Sequence, residues 1–136
     1  MDFTVRNTQE SDYEMLCEWW KAWRWTPVDR LILPDNISSG LMVSYNGVEL
    51  CSGFVYKTSS SSLFWLEWII SNPNVKDREV RREGLEFLMK GLLYMTNELG
   101  AKVIYSSLVN PHLINMYEKC GFVKGSVGAT EMIYRF

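Results

Sequence analysis

Hydrophobic positions near the start of the chain change from a strand pattern to a helical one. Apolar and polar side chains alternate over residues 3–7, which is typical of a strand. Ser11 and Asp12 then offer N-cap chemistry to a helix whose apolar residues recur at helical spacing, namely Leu16, Trp19, Trp20 and Trp23. Prolines interrupt residues 25–37, so we expect an irregular segment there with one short helix.

The next pattern predicts a hairpin followed by a buried strand. Asn46 and Gly47 lie between the β-rich runs 41–45 and 48–57, and this dipeptide suits a tight turn because both residues tolerate positive φ. The hydroxyl-rich stretch 58–62 is typical of a solvated turn. The apolar run that follows, 63–70, predicts a central strand that is buried on both faces.

The second half of the chain predicts a crossover unit. An apolar stripe with spacings of three and four predicts a long helix that ends at Gly100, and its members are Leu85, Leu88, Leu92, Met95 and Leu99. Residues 102–108 alternate as a strand, which a right-handed crossover places parallel to the strand at 63–70. We expect a short helix over 111–119 and a last strand over 132–136.

Length and composition favour one domain spanning residues 1–136. The chain is 47% apolar, which is enough for one core, and no linker or repeat divides it. No apolar run is long enough to cross a bilayer, and the N-terminal residues carry acids where a signal peptide would carry bases. We therefore expect a cytoplasmic protein with no membrane partner.

Charge and metal-ligand chemistry exclude several other classes. A net charge of -2 gives no reason to expect binding to nucleic acid. The three cysteines are far apart without a CxxC pair, so we expect free thiols. His112 is the single histidine and has no cysteine near it in sequence, so we expect no metal site.

Residues 109–122 carry the most specific motif of the chain, reading Val-Asn-Pro-His-Leu-Ile-Asn-Met-Tyr-Glu-Lys-Cys-Gly-Phe. The motif resembles the GNAT superfamily of N-acetyltransferases, in which an Asn closes the fifth strand and Tyr-Glu-Lys-x-Gly-Phe ends the helix after it. The order of elements is similar to that fold along nearly the whole chain. The resemblance implies a mixed α/β sheet of about six to seven strands, antiparallel in its N-terminal part, with a parallel pair at strands four and five and about four helices.

The resemblance also implies roles for two residues of the motif. Tyr117 would donate a proton to the departing thiolate of acetyl-CoA, and Asn110 would hydrogen-bond the pantetheine arm. A thiol has a pKa of about 8.5 and a phenol about 10, so this transfer is uphill by only about 1.5 units. The alternative for Tyr117 is an aromatic residue packed on the inner face of its short helix.

A phosphate-binding loop should precede the long helix in this family, and here it is degenerate. Gly84 matches the last small position of the loop, but Glu79 and Arg82 replace the usual Gln or Arg and the usual first Gly. In one interpretation Arg78, Arg81 and Arg82 replace the lost backbone contacts by charge-assisted hydrogen bonds to phosphate. In the other, this run is an ordinary solvated helix start.

The attacking amine needs a base, and the buried strand offers one. Glu67 is the only ionisable residue within that apolar run, so desolvation should raise its pKa toward the working range. The alternative is a carboxylate paired with Arg or Lys across the sheet. Family resemblance further implies that backbone groups of Ile69 and Ile70 pair with pantetheine as an added strand would.

The acceptor pocket is expected near the first helix and the irregular segment, with Trp25, Asp29 and Arg30 as lining residues, although tryptophans at helical spacing are more often core. The leading hypothesis is direct acetyl transfer in a ternary complex to a small-molecule or peptide amine. The alternative is a catalytically inactive GNAT-fold binding or regulatory module. The tryptophan-rich segment and the last strand are two surfaces that would suit a homodimer.

Overall fold

The computed structural model of the chain describes residues 1–136 and contains one five-stranded sheet and three α-helices. The strands lie in the order of the sequence, and they are β1 (Phe3–Asn7), β2 (Gly40–Tyr45), β3 (Val48–Tyr56), β4 (Leu63–Ser71) and β5 (Val103–Tyr105). The helices are α1 (Tyr13–Ala22), α2 (Arg78–Glu98) and α3 (Pro111–Lys119). Neighbouring strands are antiparallel from β1 to β4, whereas β4 and β5 are parallel.

Two hydrophobic clusters cover the two faces of the sheet. Leu88, Met89 and Leu92 of α2 are fully buried in the larger cluster, which also receives side chains from β2, β3, β4 and α3. Leu16 and Trp20 of α1 are buried in the smaller cluster, together with side chains of the irregular segment that follows α1. The fold therefore has the mixed α/β architecture that the sequence predicts, with helices on both faces of the sheet.

The hairpin turn and the glycines after α2 and α3 are as predicted, and the cap of α3 is an additional feature. Asn46 and Gly47 join β2 to β3 with φ of 52° and 77°, so both turn residues use the left-handed region. Gly100 ends α2 with φ 95° and Gly121 follows α3 with φ 102°. Asn110 caps α3, and Pro111 occupies its first turn, where a missing N–H costs no hydrogen bond.

The sheet has fewer strands than predicted, and its last strand is absent. The predicted strand 102–108 is reduced to Val103–Tyr105, because β5 pairs with β4 only over Leu63–Trp65. Residues 132–136 form no strand: Tyr134 is 80% exposed, and no neighbouring strand supplies the hydrogen bonds that an alternating pattern needs. With five strands, β3 is the centre of the sheet and β4 is next to the edge.

The structure has three α-helices where about four helices were predicted, and it adds two single-turn 3-10 helices at Glu10–Asp12 and Arg30–Ile32. Asp12 does not cap α1 with its side chain; both of its oxygens accept from the Arg6 guanidinium, at 2.8 Å each. The Asp12 carboxylate therefore binds Arg6 of β1 and the Gln9 backbone N–H instead of capping α1.

A bulge in β4 is the irregularity that matters most for the site. Glu67 lies opposite Phe54 and Ile70 opposite Ser52, which leaves Trp68 and Ile69 opposite Gly53 alone. Trp68 has φ 64°, and a Cβ on Gly53 would lie 2.4 Å from Cδ1 of Ile69. A larger residue at position 53 would therefore push the Ile69 side chain aside at the bulge, which turns the end of β4.

The three cysteines of the chain are free thiols. Cys51 is buried, whereas Cys17 and Cys120 are half-buried. None of the helices combines the length and apolar character that crossing a bilayer would require.

Candidate functional site

A cavity of about 350 Å³ opens where β4 and β5 separate. The two strands pair only at their beginnings, so the end of β4 and the loop after β5 diverge. Five parts of the chain contribute to the lining: β4, the loop after β5, α3, the segment after α1 and the C-terminal segment, residues 120–136. The lining residues are Trp25, Thr26, Glu67, Trp68, Ile69, Ser107, Leu108, Val109, Asn110, Leu113, Tyr117 and Glu131.

Tyr117 projects from α3 into this cavity and is otherwise enclosed. Its side chain is only 2% exposed, its ring packs on Phe122 at 4.8 Å between centroids, and its hydroxyl accepts a hydrogen bond from Ser106 Oγ at 3.3 Å. Burial raises the pKa of Tyr117 strongly and the charge of Glu67 adds to this, while the Ser106 hydroxyl acts in the opposite direction. The phenol is therefore protonated at neutral pH, but it is a weaker acid than a free phenol, so proton transfer to a thiolate is more uphill than the unperturbed pKa values imply.

Glu67 faces the cavity from the bulged part of β4. The indole Nε1 of Trp65 donates to Glu67 Oε2 at 3.0 Å, and no Arg or Lys forms an ion pair with the carboxylate. Burial raises the pKa of Glu67, the Trp65 indole lowers it, the charge of Glu131 raises it further, and the Ser107 backbone amide lowers it. The cross-sheet ion pair is absent, and the carboxylate has the environment expected of a base.

The edge of β4 beside the cavity has no strand partner. β5 covers β4 only as far as Trp65, so the backbone beyond that residue is unpaired on this side. Ile69 lines the cavity, whereas the Ile70 side chain is buried in the cluster under α1. An extended ligand can therefore add to this edge through backbone hydrogen bonds.

The predicted phosphate loop is helical in the structure. α2 begins at Arg78, so positions 79–84 lie in its first two turns and most of their amides serve the helix. Asp77 Oδ1 accepts from the backbone N–H of Glu79 at 3.0 Å and of Val80 at 3.2 Å. The helix start is therefore capped by its own carboxylate, at the position where a phosphate would bind backbone amides.

Packing accounts for the glycine at the end of this motif. Gly84 is buried against the sheet, and a Cβ there would lie 2.2 Å from Cδ2 of Leu50. Leu50 is itself 1% exposed, so it has little room to move. Close approach of α2 to β3 explains the residue without a ligand.

The first two arginines of α2 have no acidic partner. Arg78 is exposed and forms no ion pair. Arg81 lies over the ring of Trp23, 5.0 Å from its centroid, and its Nη2 is 3.5 Å from Ser71 Oγ. Both guanidinium groups keep donors for an anion.

Arg82 lies on a second cavity, of about 340 Å³, between α2 and α3. Its Nη1 is 3.9 Å from Glu86 Oε1, a loose pair one helical turn away. His112 and Lys119 of α3 line the same cavity. The side chains of Arg82, His112 and Lys119 therefore meet at this cavity, with the carboxylate of Glu86 beside them.

The remaining predicted residues divide between the cavity and the scaffold. Asn110 lines the cavity while its Oδ1 accepts from the N–H of His112 at 2.8 Å, which leaves its amide donors free. Trp25 also lines the cavity. Asp29 caps the short helix at Arg30–Ile32, and Arg30 pairs with Glu10 and lies over the ring of Tyr13, so these two are not brought to the cavity.

Sequence reasoning missed four features of the site, namely Glu131, Ser107, the bulge at Trp68 and the Asp77 cap. Glu131 and Ser107 reach the cavity from segments that carry no motif, and the bulge at Trp68 has no local sequence signal. Asp77 was recognisable, because Asp before a helical run is a typical N-cap.

Comparison with known proteins establishes the fold. No protein-family model and no curated sequence matches the chain. N-acetylglutamate synthase from Neisseria gonorrhoeae, complexed with coenzyme A and N-acetyl-glutamate, superposes with TM-score 0.74 at 13% identity, over 93% of this chain and 29% of that one. The chain thus spans less than a third of that enzyme.

Two smaller proteins give similar results. The ribosomal-protein-S18-alanine N-acetyltransferase from Escherichia coli has TM-score 0.70 and 14% identity over 92% of this chain and 80% of that one. An acetyltransferase from Trypanosoma brucei has TM-score 0.66 and 12% identity over 97% of this chain and 100% of that one. At such identities the likeness shows a shared fold.

Proposed function

We propose that this chain, which has the GNAT fold, is an N-acetyltransferase that moves the acetyl group of acetyl-CoA to an amine within a ternary complex. The observation that carries the proposal is that Tyr117 and Glu67, a protonated phenol and a half-buried carboxylate, line one cavity. An acid and a base on one cavity are what transfer to an amine requires.

The residues present fit the acyl-pantetheine part of acetyl-CoA. The unpaired edge of β4 offers the backbone groups of Ile69 and Ile70 to an extended amide chain, and Asn110 offers its free amide donors. The phosphates fit side chains better than backbone, because Asp77 already caps α2. Arg78, Arg81 and Arg82 would hold them, and Gly84 has no part in this.

Acetyl-CoA supplies the acetyl group as a thioester, and the protein supplies proton transfer. Glu67 accepts a proton from the amine, directly or through water, because a lysine-like amine with a pKa of about 10.4 is almost wholly protonated at neutral pH. Tyr117 then gives its proton to the departing sulfur. Burial is the main cause of the raised pKa of Tyr117, and the Glu67 charge is a smaller one; once Glu67 is neutral this smaller contribution is lost, and Tyr117 becomes a somewhat better acid.

Ligand-induced stabilisation tests the acyl-CoA part of the proposal. Acetyl-CoA at 100 times its dissociation constant should add about 2.7 kcal/mol to the free energy of unfolding. Thermal unfolding with and without ligand measures this. Absence of any shift at about millimolar acetyl-CoA would contradict the proposal.

Tyr117→Phe tests the role of the phenol. The variant should keep the stabilisation by acetyl-CoA but lose turnover by about 10²–10⁴-fold, measured as release of free thiol with an amine acceptor, because general acid catalysis is worth that much. Tyr94→Phe is the matched control, since Tyr94 is 71% exposed on α2. A Tyr117→Phe variant with normal turnover would show that the residue only packs.

A non-catalytic binding or regulatory module is the second candidate. The observation that favours it is Asp77, whose carboxylate caps the backbone amides at the start of α2. In that case acetyl-CoA would not stabilise the protein, and binding to another partner would be its activity.

A further inference from the structure

The cavity has a charge that the proposed reaction does not require. Its lining contains two carboxylates, Glu67 and Glu131, and no Lys or Arg. Neither carboxylate forms an ion pair anywhere in the structure. One base is enough to deprotonate an amine, so Glu131 is left without a role.

Glu131 reaches the cavity from the C-terminal segment. Its negative charge acts on Glu67 and raises the pKa of that group, so the two carboxylates repel each other across the cavity. The other titratable side chains near Glu67 are the phenols of Tyr56 and Tyr117, which burial keeps neutral by raising their pKa values. The lining of the cavity contains no Lys or Arg that could offset the pair.

Aromatic side chains complete the chemistry of the cavity. Trp25 and Trp68 line it together with the two carboxylates, and Trp25 is 39% exposed. Indole faces attract cations and pack against methylene groups. A lining of two carboxylates and two indoles is complementary to an aliphatic ligand with positive charges and is unfavourable for an acceptor that carries a carboxylate.

We propose that the acceptor is a small aliphatic diamine, whose reacting nitrogen lies at Glu67 and whose second ammonium group binds Glu131. The proposal rests on the proposed function and names its acceptor class. Glu67 takes one proton from the reacting ammonium, and the neutral amine forms a bond to the acetyl carbon as the carbon–sulfur bond breaks. Tyr117 gives its proton to sulfur, and the second proton that leaves nitrogen restores the Tyr117 phenol. The second ammonium keeps its proton and remains bound to Glu131.

Three ligands that share a four-carbon chain test the contribution of the second ammonium group to binding. They are 1,4-diaminobutane, n-butylamine and 4-aminobutyrate, which end in an ammonium, a methyl and a carboxylate. Binding to the full chain is measured by isothermal titration without acetyl-CoA. A charged hydrogen bond to Glu131 should make the diamine bind at least about tenfold more tightly than butylamine, and aminobutyrate should bind most weakly.

Glu131→Gln removes the charge and keeps the size of the side chain. The variant should bind 1,4-diaminobutane about as weakly as butylamine, with butylamine itself changed little. Glu98→Gln is the control, because Glu98 is exposed at the C-terminal end of α2 and does not line the cavity. This variant should keep the preference for the diamine. Equal binding of the two amines by the wild type, or a preference that survives Glu131→Gln, would overturn the proposal.

Thiol release with the same amines separates this inference from the function on which it rests. A preference for the diamine that depends on Glu131, without acetyl transfer, would support the recognition site and refute the acetyltransferase. Transfer to butylamine and diaminobutane alike, unaffected by Glu131→Gln, would support the acetyltransferase and refute the site.

Discussion

At the scale of the residue, the environment of Glu67 is the one expected of a base, and it opposes the stability of the fold at neutral pH. Burial and the nearby Glu131 raise its pKa, and the Trp65 indole and the Ser107 amide offset this only in part. A carboxylic acid with a raised pKa in the folded state favours folding when protonated. That contribution is complete below the unfolded pKa and is lost as pH rises through the folded pKa.

Glu67→Gln should therefore increase stability at neutral pH. The free energy of unfolding of the variant should exceed that of the wild type near pH 7, and the difference should vanish below about pH 4, where the wild-type carboxyl is protonated in both states. Urea unfolding at the two pH values measures this. Glu98→Gln, with an exposed carboxylate, should show no such difference, and a loss of stability at neutral pH in Glu67→Gln would reveal a favourable partner for the charge.

At the scale of the element, the start of α2 sets stability against anion binding. Asp77 stabilises the helix by accepting from two backbone amides, and the same carboxylate repels a phosphate that approaches them. The three arginines near this end supply the opposite charge. If acyl-CoA binds as proposed, its affinity should depend on the balance between the Asp77 cap and these three guanidinium groups.

Two substitutions of Asp77 separate its cap from its charge. Asp77→Asn keeps an equivalent cap and should leave stability nearly unchanged, whereas Asp77→Ala should cost about 1 kcal/mol. Both remove the negative charge, so both should bind acetyl-CoA more tightly in isothermal titration. If the affinity of Asp77→Asn does not rise, the phosphates do not approach this end of α2.

At the scale of the whole molecule, the sheet ends at β5 and the C-terminal residues lie outside both cores. Met132 is 86% exposed and Ile133 is 71% exposed, and neither belongs to a hydrophobic cluster. The apolar surface that they would bury in a strand is left in solvent. The segment therefore contributes to the cavity through Glu131 and little to the stability of the fold.

Truncation after Glu131 tests this arrangement. Removal of residues 132–136 should change the free energy of unfolding by less than about 0.5 kcal/mol, as expected for exposed positions. Leu88→Ala is a positive control for the urea titration, because this fully buried side chain should cost about 2–5 kcal/mol. A loss of several kcal/mol on truncation would mean that the segment pairs as a strand.

The sequence by itself determined most of the local elements and several of the residues that line the cavity. Asn46-Gly47 specified the hairpin, the apolar stripe and Gly100 specified α2, and the motif after β5 identified α3 and the fold. Of the predicted site residues, the structure brings to one cavity Tyr117, Glu67, Ile69, Asn110 and Trp25. The turn and the helix could be predicted because turn preference and helical periodicity act over a few neighbouring residues. Tyr117, Asn110 and Ile69 were implied by the resemblance of the motif and the element order to a known family.

Only the tertiary structure decided where pairing stops and which charges meet. It shortened β5, left residues 132–136 without a strand, made 79–84 helical and used Gly84 for packing on β3. It also brought Glu131 to Glu67, although these residues lie far apart in the chain. Strand pairing, burial and electrostatic repulsion all depend on neighbours that are distant in sequence, and no local pattern records them.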